Sequence, residues 1–162
     1  MNTLPQTRHR EAAEQAVQLA MPMLEAARAD RRVGESGFLH VVIMDPQARP
    51  ADGDFESAIL YEKSIGDTSR WDADYGAYAR AKARLSWRTG RPSHEVLALQ
   101  PHLVAQGDVL VWGSAVVDGV VVAVSGANPW FDEALSGAIA HLFKACVHAQ
   151  VDAQASAQVR GA

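Results

Sequence analysis

Six histidines, three closely spaced arginines and one serine at a strand–helix junction are the residues of this chain whose chemistry asks for explanation. The junction reads SGANPWFDEALSGAIAHLF over residues 125–143. Its Ser125 would be a nucleophile if it stood in a G-x-S-x-G elbow, but the stretch is A-V-S-G-A, without the first glycine. The commoner reading is that Ser125 ends a strand and Gly126 makes a tight turn. The backbone N–H groups that open the following helix could hold an anion. Asp132 and Glu133 stand in that same field and can occupy it themselves.

The histidines are His9, His40, His94, His102, His141 and His148. His141 and His148 share a helix face but lie about 10.5 Å apart along it, too far to share one metal. No H-x-x-x-H pair exists, and one cysteine cannot make a zinc site, so no metal site is expected. His40 sits among apolar residues and reads as a hydrogen-bonded sheet histidine. His94 follows Arg91-Pro92-Ser93 in a loop and is the best-placed polar candidate, as an axial haem ligand or a contact to a carboxylate. Arg80, Arg84 and Arg88 recur every four residues. That spacing fits a solvated helix face, or a grip on propionate or phosphate through bidentate guanidinium contacts. No complete catalytic constellation is visible, which disfavours a third reading, an enzyme acting on a small organic acid.

These residues need a frame. The chain has 162 residues, 48% of them apolar and 21% charged, enough for one domain with its own core. The boundaries expected are a single domain over residues 1–150 and an Ala/Gln-rich tail over 151–162, frayed or disordered. A net charge of −4 and no basic stripe argue against nucleic acid as a partner. The longest apolar run near the start, residues 19–24, is far short of a membrane span, and no secretory signal is apparent, so a cytoplasmic location is expected.

Hydrophobic periodicity predicts a helix over residues 8–30, kinked or split at Pro22. FLHVVIMD (38–45) and SAILYEKS (57–64) read as strands that pair as a hairpin. A helix follows over 70–88, ended by Gly90 and Pro92. VLVWGSAVV (109–117) and GVVVAVSG (119–126) flank Asp118-Gly119, a strong hairpin signal. Both are apolar on successive residues, so both sheet faces should be covered. Asn128 and Pro129 then open a long helix whose stripe includes Phe131, Leu135, Ile139 and Phe143. The order helix, hairpin, helix, hairpin, helix predicts an α+β fold with a mainly antiparallel sheet. An exposed Trp130 would be a natural interface anchor.

Two of these stretches, DGVVVAVSGANPWFDEALSGAIA (118–140) and YARAKARLSWRTGRPS (78–93), together resemble the GlcG/HbpS family, also called the haem-degrading-domain family, which includes the C-terminal domain of PduO proteins. FLHVVIMDPQARPADGD (38–54) is similar to that family's first strand and turn. The resemblance spans about residues 10–150. It implies a profilin-like fold: an antiparallel sheet of about five strands between helices, in three α/β/α layers. It also implies a small-molecule ligand, haem or a corrinoid in some members, and assembly as a homo-oligomer. Lys82, Arg91, Pro92, Ser93, Ser125, Gly126 and Asp132 fall on positions that match the family pattern, with Ser93 standing where the family has threonine. The expected ligand-binding set is therefore Arg91, Ser93, Lys82, Ser125, Gly126 and Asp132 from the matching positions, with Arg91 or Lys82 as carboxylate grip, and His94, which falls on no matching position, from the reading of the residues themselves, as ligand. The alternative is a non-catalytic accessory domain whose apolar faces serve oligomerisation.

Overall fold

A computed structural model describes residues 5–161. Four helices and four strands carry the fold. They are α1 (Gln6–Ala29), β1 (Leu39–Met44), β2 (Ile59–Ile65), α2 (Tyr75–Thr89), α3 (Ser93–Leu99), β3 (Ser114–Val117), β4 (Val120–Ser125) and α4 (Pro129–Arg160). The strands form one antiparallel sheet in the order β2-β1-β4-β3. Both predicted hairpins are present, and β1 against β4 joins them. α1 and α4 cover one face and α2 the other, so the α+β, three-layer arrangement is as expected.

The alternation of side chains along β1 and β4 explains the layers. Leu39, Val41 and Ile43 join Val120, Val122 and Val124 under α1 and α4. Val42, Met44, Val121 and Ala123 meet Ala79 and Ala83 of α2. All six residues of β1 and all six of β4 are buried, which a strand sandwiched between helix layers requires.

The sheet has four strands among the described residues, where the resemblance implied about five. The expected strand over 109–117 is half loop. Only Ser114–Val117 pairs with β4, while Leu110 and Val111 stand exposed before it. Apolar sequence alone could not distinguish a buried strand from an exposed apolar loop. Of the two outcomes expected at Pro22, a split into two helices is absent, since α1 runs as one helix through it. Ala12, Ala13, Ala16 and Ala20 let α1 pack closely on the sheet and α4, and that packing outweighs the one backbone bond a proline forfeits. The helix α4 continues through residues 151–160.

The β1–β4 junction depends on Gly126, at φ +125°. A Cβ there would stand 2.0 Å from the carbonyl oxygen of Phe38, so the two backbones can approach only with glycine. Gly90 also has a positive φ, as the left-handed cap of α2, but faces open space. Gly126→Ala should therefore lower the unfolding free energy by more than about 2 kcal/mol, and Gly90→Ala by only about 1 kcal/mol. Urea denaturation of the two variants measures the difference.

Candidate functional site

The residues singled out in the sequence divide into a buried polar knot and an exposed pocket beside it. Lys82 reaches from α2 through the α2 layer to the start of α4. Its Nζ donates to Asp132 Oδ2 at 2.9 Å and to the Val124 carbonyl at 3.0 Å, with Ser125 Oγ at 3.4 Å. Both side chains of the pair are almost wholly withdrawn from water, 1% and 2% exposed. Asp132 Oδ1 also accepts from the Ala127 amide. In this way it satisfies a donor at the mouth of α4, while Asn128 at the N-cap makes no side-chain cap bond. Burial pushes the Asp132 carboxyl up to about 6 against the pull of Lys82, and burial likewise lowers Lys82.

Four buried serines extend the knot. Ser93 Oγ accepts from the Gly113 and Ser114 amides at 3.1 Å each, and Ser114 Oγ lies 2.6 Å from Ser93 Oγ and 2.7 Å from Ser86 Oγ. Ser136 of α4 donates to the Gly113 carbonyl. Gly113 is the hub because a Cβ there would stand 2.5 Å from Asp132 Cβ and 3.0 Å from Lys82 Nζ. Polar side chains from α2, α3, α4 and β3 thus hold α3 and the start of α4 side by side.

The pocket opens over that join. It encloses about 370 Å³ and is lined by Pro92, His94, Glu95, Ala98, Leu99 and Glu133. His94 lies in the first turn of the short helix α3, and its ring stacks on Trp112 at 3.8 Å with an 11° tilt. Its Nδ1 faces Glu133 Oε2 at 3.5 Å. That oxygen is itself buried and has no hydrogen-bond partner. Arg91 stands at the edge, bound to Glu95 at 2.5 Å.

Of the seven residues of the expected ligand-binding set, His94 lines the pocket and Arg91 reaches it through Glu95. Lys82, Ser93, Ser125 and Asp132 are turned inward into the knot, and Gly126 serves the backbone junction. Trp112, Glu133 and Leu99 escaped the sequence reading. Glu133 looked like an ordinary acidic residue of a helix start, and Trp112 like a strand residue. The arginine row is engaged: Arg80 binds Glu62 at 2.5 Å, Arg84 lies over the Phe55 ring at 4.5 Å, and Arg88 binds Asp108. His40 is hydrogen-bonded on the sheet, as expected. Among the described residues no group of three or more His, Cys, Asp or Glu could hold a metal ion, and no helix is long and apolar enough to cross a membrane.

Comparison with solved structures gives a fold relative. ORFY of Klebsiella pneumoniae, described with the family model DUF336, superposes with a TM-score of 0.51 over 90% of this chain and 93% of its own, at 16% identity. At that identity the likeness establishes a shared fold. No family model matches the chain, and no curated protein matches it in sequence.

The knot makes two predictions. Lys82→Met leaves a carboxylate buried and unpaired and should cost about 3–5 kcal/mol, whereas Lys82→Met with Asp132→Leu should recover most of that loss. Denaturant melts of the single and double variants test it. Because the Asp132 pKa is raised above its unfolded value of 3.8 to about 6, the folded state binds the extra proton between those values. Its contribution to stability is complete below about pH 4 and falls as pH rises through 6. The stability difference between the parent and Asp132→Asn should shift against the parent by roughly 1–3 kcal/mol over that window, measured by denaturation at each pH.

Proposed function

We propose that this protein binds a small ligand, in the manner of GlcG/HbpS-like proteins, in the pocket between α3 and the start of α4. The observation that carries the reading is the pairing of His94 with Glu133: a stacked imidazole facing a buried carboxylate oxygen that has no other partner. The fold shared with a DUF336 protein supports the reading, since that family corresponds to GlcG-like domains. So do the similar stretches at 78–93 and 118–140.

The ligand class proposed is a tetrapyrrole, haem or a corrinoid. A carboxylate at Nδ1 favours the tautomer that leaves the Nε2 lone pair free, which suits an imidazole to bind a metal. Trp112 fixes the ring plane, and Pro92, Ala98 and Leu99 supply apolar wall. These residues would hold the metal and one face of the macrocycle. The acidic groups fit propionates less well: Arg91 is the cation at the rim, and Glu95 already holds it. A ligand with few negative charges therefore suits the pocket better than one with many.

Titration with hemin and with cobinamide, followed by absorbance, tests this. A saturable one-to-one spectral shift that is lost or displaced in His94→Ala is expected. No saturable shift with either probe overturns the tetrapyrrole reading. An unchanged spectrum in His94→Ala removes His94 as the ligand.

A second reading, a homo-oligomeric accessory domain, is favoured by large apolar side chains left open to solvent. Leu99 is 75% exposed, Leu110 74% and Trp130 58%. Trp130 stands one turn before Glu133 at the start of α4, where it serves no core. Size-exclusion light scattering should show an oligomer that Trp130→Ala weakens, and a strictly monomeric parent would exclude this reading.

A further inference from the structure

On the other side of the molecule from α1 and α4, under the start of α2, three residues from two strands meet in an order that has a chemical meaning. In the register of β1 and β2, His40 stands directly opposite Ser64, and Glu62 lies two residues back along β2 on the same face. His40 Nδ1 is 2.8 Å from Ser64 Oγ, and His40 Nε2 is 2.9 Å from Glu62 Oε1. Arg80 of α2 clamps Glu62 through two bonds, 3.0 Å to Oε1 and 2.5 Å to Oε2. The guanidinium holds the Glu62 carboxyl below its ordinary range, so it is an acceptor only. With the ring neutral, a carboxylate facing Nε2 favours the tautomer that carries its proton there, toward Glu62. Nδ1 is left as a bare lone pair facing the serine hydroxyl, which donates to it.

We propose that Ser64, His40 and Glu62 form a nucleophile, base and orienting carboxylate, and that the protein hydrolyses a small acyl ester at Ser64. The same logic of roles defines serine hydrolases on unrelated folds. A second observation lies beside the triad. The Trp71 ring stands perpendicular to His40 with centroids 5.9 Å apart, and its Nε1 is buried without a hydrogen-bond partner. The ring beside the base thus carries a buried donor that the fold itself does not use. Trp71 packs on Tyr75 and Tyr75 on Phe38, so the neighbourhood is aromatic and suits an apolar acyl group. Ser64 is half-buried on β2, an edge strand, so that side of the sheet is not closed by a further strand.

The step balances with water as co-substrate. Ser64 Oγ bonds to the acyl carbon while its proton passes to His40 Nδ1, and the carbonyl electron pair moves onto oxygen. Collapse breaks the bond to the leaving alkoxide, which takes the proton from His40 and departs as the alcohol. Water, deprotonated by His40, then attacks the acyl-serine. The carboxylic acid leaves and Ser64 recovers its proton. Glu62 and Arg80 are positioning residues that hold the tautomer.

The test is covalent labelling of the full chain with a fluorophosphonate, with the adduct placed by peptide mass spectrometry, beside hydrolysis of p-nitrophenyl butyrate. A single adduct on Ser64 is expected, absent in Ser64→Ala. In Glu62→Gln, which keeps the shape but loses the charge, labelling and ester turnover should both slow at least about tenfold. Circular dichroism confirms that each variant is folded, and Glu62→Gln keeps the test decisive if a His40 variant does not fold. No adduct on Ser64 in the folded parent overturns the proposal, as does labelling at an unchanged rate in folded Glu62→Gln. Hemin binding at His94 plays no part in this readout, so the two proposals stand or fall separately.

Discussion

An ammonium and a carboxylate, 2.9 Å apart and shut away from water, tie α2 to the mouth of α4. Burial makes both charges costly, and the pair is tolerated because each spare polar atom has a partner: Asp132 takes the Ala127 amide, and Lys82 takes the Val124 carbonyl. The geometry admits little variation. Gly113 must lack a side chain for Asp132 and Lys82 to fit, and Ser93, Ser114 and Ser136 must meet the backbone on either side of it. A hydrophobic knot of the same volume could be as stable, but it would lack the directional bonds that join α2, α3, α4 and β3 around Gly113.

This arrangement separates two jobs that the sequence presents as one. Of the residues that match the GlcG/HbpS pattern, Lys82, Ser93, Ser125 and Asp132 are turned inward, where they build the wall. The residues that line the pocket include Glu133, next to Asp132 on the second stretch, and Leu99, outside both stretches, as is Trp112, against which His94 stacks. A motif of Lys, Ser, Gly and Asp can therefore mark the architecture of a pocket while its contents are chosen by neighbours. That division is consistent with one fold serving different ligands.

The sheet adds a second polar centre on its α2 side. β1 carries His40 between Ser64 of one neighbour and Ser125 of the other, in an otherwise apolar strand. The arginine row on α2, which as sequence fits a solvent face or an anion grip, is spent on Glu56, Glu62 and Asp108. One of its members, Arg80, thereby fixes the carboxylate that meets a histidine on a different element. Ion pairs this exposed contribute little stability individually. Their effect here is on orientation.

Local chemistry was sufficient for much of the architecture. Short continuous apolar runs marked the two hairpins and period-3.6 patterns the three long helices, Asp118-Gly119 marked the second turn, and Gly90 and Asn128-Pro129 marked helix ends. Each depends only on backbone preference and on which residues seek a core. The unbroken helix through Pro22, the loop at 109–113 and the inward turn of Lys82 and Asp132 were decided by packing between elements distant in sequence. So were the meetings of His94 with Glu133, 39 positions on, and of His40 with Ser64 and Glu62, more than 20 positions on. No spacing rule connects such residues, because strand register and the approach of two helix ends are tertiary quantities. The sequence by itself determined a sheet between helices and a marked β–α junction; only the folded chain decided which polar groups are spent holding it together and which are left free to act.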